Sequence, residues 1–161
     1  MPTLEWSDAL ALDVPSMDDT HREFVTLLAM AEQASDAALP QCWQDLIDHT
    51  EDHFGQEDRW MAATRFASGN CHTTQHKVVL DTLREAARLV DSGEYGPALL
   101  RKLTKELGEW FPQHAQSMDA ALALHLRRVG YDPATGALLV PQALPETLIE
   151  GCGGLACSTG T

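Results

Sequence analysis

His72 and His76 lie four residues apart in Cys71-His72-Thr73-Thr74-Gln75-His76, a stretch that reads as helix. One helical turn takes ~3.6 residues, so the two imidazoles leave nearly the same face, one turn apart. Val79, Leu80, Leu83, Ala86, Ala87 and Val90 continue that face. The pair therefore points into a core. A neutral imidazole is a good metal ligand, and an i,i+4 pair can hold one ion. Taken alone, the pair fits core histidines with hydrogen-bonded partners just as well, so the elements around it have to decide.

The preceding stretch, from about residue 40 to 64, carries the inward face Trp43, Leu46, Ile47, Thr50, His53, Phe54, Glu57, Trp60 and Met61. His53 and Glu57 are again i,i+4, and a carboxylate on a core face is costly unless it is paired or bound to metal. His49, one turn earlier, reads as a satisfied core or surface histidine with a possible hydrogen-bonding role behind the site. A first helix over about 18–38, capped by Asp18 or Asp19, places His21 on the stripe Phe24, Val25, Leu28, Ala31. A third helix follows over about 71–91. A fourth, over about 97–128, carries Leu100, Leu103, Leu107, Trp110, His114, Met118, Ala121, Leu122 and His125. Four amphipathic helices joined by short turns argue for an all-α, up-down-up-down four-helix bundle with a non-helical N-terminal lead-in and an irregular C-terminal tail. The expected division is a bundle over 1–130 and a tail over 131–161.

Pro112 falls inside the fourth helix. It removes a backbone hydrogen bond and presses on the carbonyl of Gly108, four residues back, so a kink or local widening is expected there. This bears on Asp119. Five residues after His114 is ~140° of rotation in a regular helix, off the stripe. Either a widened turn or a reach from the flank is needed to bring Asp119 inward.

His21, His53, Glu57, His72, His76, His114 and Asp119 thus converge on a core from all four helices. Five histidines and two acids are hard to explain as hydrogen-bonded core, because each unpaired polar group would cost kilocalories. Two metal ions remove the difficulty: five nitrogens can be shared between them while two carboxylates bridge. Imidazole and carboxylate without thiolate suit iron, manganese or zinc.

The set resembles the hemerythrin family, specifically its single-domain bacterial members. The elements that carry the likeness run from about Trp6 to Leu126: Glu5-Trp6, Asp18-Asp19-Thr20-His21, His53-Phe54-Gly55-Gln56-Glu57-Asp58, His72-x-x-x-His76 and Trp110-x-x-x-His114-x-x-x-x-Asp119. The resemblance implies two non-haem irons, one held by His72, His76 and His114 and the other by His21 and His53. Glu57, Asp119 and an oxo or hydroxo group would bridge them. It further implies that O2 binds reversibly, as a hydroperoxide, at the iron with the open position, for transport, storage or sensing rather than catalysis. A diiron redox enzyme acting on O2, peroxide or nitric oxide is the alternative. Thr20, Pro112 and Ala115 depart from the family's usual residues and bear on pocket shape and oxygen retention. Phe24, Leu28, Phe54 and Trp110 are the residues expected to keep the open position dry.

The remaining composition narrows the classes. The charge of 11 − 24 = −13 repels nucleic acid and anionic membrane. No apolar run approaches the ~20 residues of a membrane span, and the start lacks the basic and apolar segments of a signal peptide. A cytoplasmic protein is expected, with O2 as partner and a reductase or O2-consuming protein as an unidentified second one. Cys42 and Cys71 read as small core residues or plain thiols. Cys152 and Cys157, among tail glycines, could form a reversible disulfide or bind a soft metal. Leu138-Leu139-Val140 and Leu148-Ile149 are expected to fold back on the bundle.

Overall fold

The computed structural model describes residues 1–66 and 71–149. It contains four long helices, α1 Pro15–Gln33, α2 Leu39–Ala63, α3 Cys71–Asp91 and α4 Ala98–His114, and a shorter α5 Ala120–Val129. A π-helical turn, Ala115–Asp119, joins α4 to α5. α1 packs against α2 and α4, and α3 against α2 and α4, which closes the four into a bundle. No strand occurs among the described residues, only an isolated bridge between Tyr131 and Leu138. No helix among them is long and apolar enough to cross a membrane.

The helix boundaries follow local chemistry. α1 starts at Pro15, earlier than the caps predicted at Asp18 or Asp19. Proline suits the first turn because the N–H it lacks would have no helical partner. Asp18 is instead buried, with its Oδ1 accepting the Leu12 N–H at 2.7 Å, so it ties the lead-in to α1 rather than capping it. The lead-in is non-helical apart from one 3-10 turn at Asp8–Leu10. It buries Leu4, Leu10 and Val14 and lays Trp6 under the Arg22 guanidinium, 4.6 Å from the ring centroid. Gly108 lets Thr3 of the lead-in approach α4 closely. A Cβ there would lie 3.1–3.2 Å from Thr3 and Leu28 side-chain atoms.

α5 ends at Gly130, whose left-handed φ of 62° suits glycine as a helix stop. The chain then turns back as expected. Leu139 N donates to Gly130 O, Val140 N to Val129 O, and Ile149 N to Arg65 O. Ile149 packs partly against the far end of the core, although Leu139 and Leu148 stay exposed. Cys152 and Cys157 lie outside the described residues.

The apolar core comes in two layers. One gathers Phe24, Leu28, Trp43, Leu46, Ile47, Leu83, Leu107 and Phe111. The other gathers Val14, Met17, Trp60, Met61, Phe66, Leu122 and Leu126. In α1, α2 and the α4–α5 unit, the chain passes from one layer to the other across His21, across His53 and Glu57, and across His114 and Asp119. The polar groups therefore occupy a stratum between two dry ones.

Candidate metal centre

All seven predicted residues meet in that stratum, and each is at most 2% exposed. The helix periodicity that puts His53 over Glu57 and His72 over His76 supplies four of them. Asp119 arrives by the first of its two predicted routes. α4 runs on through Pro112 to His114, and the widening comes three residues later, in the turn Ala115–Asp119. There the Ala120 N–H donates to the Ala115 carbonyl, five residues back. A turn closed by i→i+5 bonds takes up one extra residue. That offsets the ~140° displacement of a regular helix and turns Asp119 inward.

Each carboxylate spans the cluster. Glu57 Oε1 lies 3.0 Å from His53 Nε2 and 3.5 Å from His21 Nε2. Its Oε2 lies 3.3 Å from His76 Nε2 and 3.4 Å from His72 Nε2. Asp119 Oδ2 faces His21 Nε2 at 3.3 Å, while Oδ1 faces His72 at 3.0 Å and His114 at 3.1 Å. Two ligand-sized groups result: Glu57, His72, His76, His114 and Asp119; and His21, His53, Glu57 and Asp119. The donor atoms within each lie within 4.8 Å of one another.

The cluster is not a satisfied hydrogen-bond network. Among the described residues, every buried side-chain nitrogen or oxygen without a partner belongs to it: both ring nitrogens of His21 and His72, His53 Nδ1, Glu57 Oε2 and both oxygens of Asp119. Elsewhere the buried polar groups are served. Thr50, Thr64 and Thr104 each donate at 2.7 Å to the carbonyl four residues back, and His125 Nε2 donates to Thr64 O at 2.9 Å. His53 Nε2–Glu57 Oε1, at 3.0 Å, and His76 Nε2–His114 Nε2, at 3.3 Å, are hydrogen-bonded, but the remaining atoms crowd to about 3 Å without such alignment and converge on common points, as ligands of an ion do. The residues present fit a pair of cations.

Electrostatics agree. Burial disfavours charge on His21 and His72, but Asp119 and Glu57 outweigh it and raise each to about 9. Burial likewise opposes charge on His76, yet Asp58 and then Glu57 raise it. Burial pushes Glu57 up, and the imidazoles, His53 first, bring it well below the ordinary carboxylate range. Asp119 is pushed up by burial and by Glu57 and is brought below its usual value by His114 and His21. Without metal, protons fill the role of the missing positive charge.

Outer partners fix two of the imidazoles. His76 Nδ1 donates to Asp58 Oδ1 at 2.9 Å, and His114 Nδ1 donates to Gln75 Oε1 at 3.0 Å. Each hydrogen bond leaves Nε2 turned inward, that of His76 toward Glu57 and that of His114 toward Asp119. Sequence reasoning assigned neither Asp58 nor Gln75 a role. The available signal was adjacency, since each directly neighbours a site residue in the chain. His49, weighed for such a role, donates instead to Thr20 O at 3.1 Å. It lines a polar cleft of about 260 Å³ with Glu23, Asp52, His53, Gln56 and Arg59.

The apolar wall is partly as predicted. Phe24, Leu28 and Phe54 are buried, and Phe54 stacks on His76 with centroids 4.0 Å apart. Trp110 is half-buried and stacks on His114 at 4.5 Å. The residue missed was Phe111, fully buried, its ring edge-on to His21 at 5.1 Å and 4.6 Å from Phe24. Its spacing from Leu107 and His114 was the sign that it, more than Trp110, lies on the inward stripe.

Residues 12–124 match the family model described as the hemerythrin HHE cation binding domain. The chain is 39% identical over 132 residues to a bacteriohemerythrin of Ralstonia nicotianae, covering 82% of this chain and 95% of the relative. A bacteriohemerythrin of Pseudomonas paraeruginosa is 27% identical over 74% of this chain and 79% of its own. A myohemerythrin of Riftia pachyptila is 25% identical over 71% and 86%. No solved structure gives a significant match. With the family model spanning most of the bundle and a close relative spanning most of the chain, this protein belongs to the hemerythrin family.

Proposed function

We propose that the protein binds O2 reversibly at a non-haem diiron centre. His72, His76 and His114 would hold one iron and His21 and His53 the other, with Glu57 and Asp119 placed between the two groups. The observation that carries this reading is the division of the carboxylate oxygens, one of each toward either histidine group. When bound, the iron pair supplies the electrons that make O2 binding possible.

The chain's own residues do the rest. Three imidazoles on one side and two on the other would leave the His21–His53 side with fewer donors, so that side would be the one open to the gas. Phe111, edge-on to His21 at 5.1 Å, and Phe24, 6.3 Å from His53, line that side with apolar surface, which would exclude water and slow loss of the bound gas to side reactions. Asp58 and Gln75 hold the other side's imidazoles in the correct tautomer. The matching family model, described as a cation binding domain, supports a metal-binding role.

The test is gas uptake by the reduced protein. About one O2 per iron pair should be taken up and given back under argon. Sustained O2 consumption with added reductant, with no oxygen recoverable, would instead make this a redox enzyme.

A further inference from the structure

The cleft beside His49 reaches the metal centre from outside, because His53 belongs to both. His53 Nε2 is turned into the cluster, 3.0 Å from Glu57 Oε1, so the edge its ring presents to the cleft is the Nδ1 edge. That nitrogen has no partner, in a residue only 2% exposed. His49 sits one helical turn earlier, the two ring centroids 6.0 Å apart. Its Nε2 donates to the Thr20 carbonyl, which leaves a lone pair on Nδ1 of the neutral ring. That lone pair lies 3.6 Å from Glu23 Oε2. Asp52 adds a second carboxylate to the lining, and Arg59 an opposing guanidinium. The cleft also lies in the acidic half of the molecule. Residues 1–66 carry 3 basic and 14 acidic side chains, 3 − 14 = −11, whereas residues 71–129 carry 8 and 7, 8 − 7 = +1. Such an approach draws cations in and turns anions away. Among the described residues, three or more histidine, cysteine or carboxylate donors come within 4.8 Å of one another only in the two groups of the metal centre. The cleft is therefore built as a passage for a cation and not as a resting place.

We propose that this cleft is the port through which divalent metal ions load the centre. The acidic surface draws the hydrated cation in, Glu23, Asp52 and His49 Nδ1 replace part of its water, and His53 passes it to the cluster. The step is ligand exchange: metal–water bonds break, metal–oxygen and metal–nitrogen bonds form, and no electron moves. Carboxylate and imidazole without thiolate suit a first-row divalent ion. The charge on Arg59 opposes entry, so the two signs in the cleft have opposite effects on the rate. Glu23 and Asp52 govern how fast metal arrives, while the seven residues of the cluster govern how much is held. The port rests on the reading of that cluster as the metal's destination.

The experiment mixes metal-free full-length protein with ferrous ion under argon, quenches samples with a ferrous chelator at intervals, and counts the iron retained. Uptake by the parent should slow as ionic strength rises from ~0.01 M to ~0.5 M. At low salt, Glu23→Gln combined with Asp52→Asn should load roughly tenfold slower, and Arg59→Gln several-fold faster. Both should reach the parent's final iron content. Asp45→Asn combined with Asp48→Asn makes the same change of charge at two exposed positions of α2 outside the cleft, and should load within about twofold of the parent. Arg59→Gln, a single exposed substitution, keeps the test open should a double variant fail to fold by dichroism. Equal slowing in the two double variants would overturn the port, because overall charge and not the cleft would then set the rate. Parental rates in both the Glu23/Asp52 and the Arg59 variants would overturn it as well. A parent that retains no iron against the chelator would instead overturn the reading of the metal centre on which the port rests.

Discussion

Asp58 offers the sharpest test of how the outer partners serve the site. Its carboxylate accepts the His76 Nδ1–H at 2.9 Å, which sets the ring tautomer and turns Nε2 toward Glu57 Oε2. Replacing Asp58 by Ala leaves the imidazole to choose its own tautomer and rotation. Loss of such a partner costs ~10–100-fold in metal affinity. Asp58 is 42% exposed, so water can replace part of what is lost. The lower part of the range applies, ~10–30-fold or ~1.4–2 kcal/mol. Asp58→Asn keeps an oxygen acceptor and loses only the charge, so its effect should be smaller, ~3–10-fold. Gln75→Leu removes the neutral acceptor of His114 Nδ1 and should cost ~10-fold or less. The assay is an anaerobic competition between protein and a ferrous chelator, with far-ultraviolet dichroism to verify the fold. Affinities of all three variants within about twofold of the parent would refute the reasoning, because the range for such partners starts at ~10-fold. Equal losses for Asp58→Ala and Asp58→Asn would show that the charge, not the position of the acceptor, is what matters.

The remaining predictions concern protons, the dry wall and the bridge. His21 and His72, raised to about 9 without metal, contribute stability that is fully present below their unfolded value of ~6.5 and is lost as pH rises through about 9. Glu57 and Asp119, both lowered, contribute stability present above ~4.5 and lost as pH falls. Metal-free protein should therefore melt highest between ~pH 4.5 and 6.5 and progressively lower toward pH 9; a melting temperature that climbs over that upper range would contradict this. Metal must displace those protons, so binding near neutral pH should release protons, seen calorimetrically as a heat that changes with buffer; a buffer-independent heat would count against it. Phe111→Ala, at a fully buried ring, should cost about 3–5 kcal/mol in urea unfolding and shorten the life of the oxygenated form; parental values of both would remove Phe111 from the wall. Asp119→Asn should leave fewer than two irons per chain by elemental analysis; full occupancy would show that the bridge does not need this carboxylate.

The bundle was legible because four apolar stripes at helical spacing recur between short turns, and the seven inward polar residues sat on or next to those stripes. What periodicity could not supply was anything that depends on a break in it. Asp119 was recognised as off-stripe, yet choosing between a widened turn and a flanking reach required the backbone of 115–119 itself. Pro15 looked like lead-in because proline punctuates chains, although it also opens helices. Phe111 was not placed on the inward face, although its spacing from Leu107 and His114 puts it there. Asp58 and Gln75 stayed hidden because an outer partner needs only to reach one ring nitrogen, which leaves no spacing of its own. Cys71 is disulfide-bonded, and no local pattern of the sequence signals that.

The central claim is tested most directly by the visible spectrum of anaerobically reduced protein, taken before and after exposure to air, with iron counted in the same sample. The account predicts two irons per chain and bands that appear with O2 and vanish under argon. Two irons that pass straight to an oxidised spectrum, with nothing recoverable under argon, would contradict reversible binding. Absence of iron after reconstitution would contradict the metal centre itself.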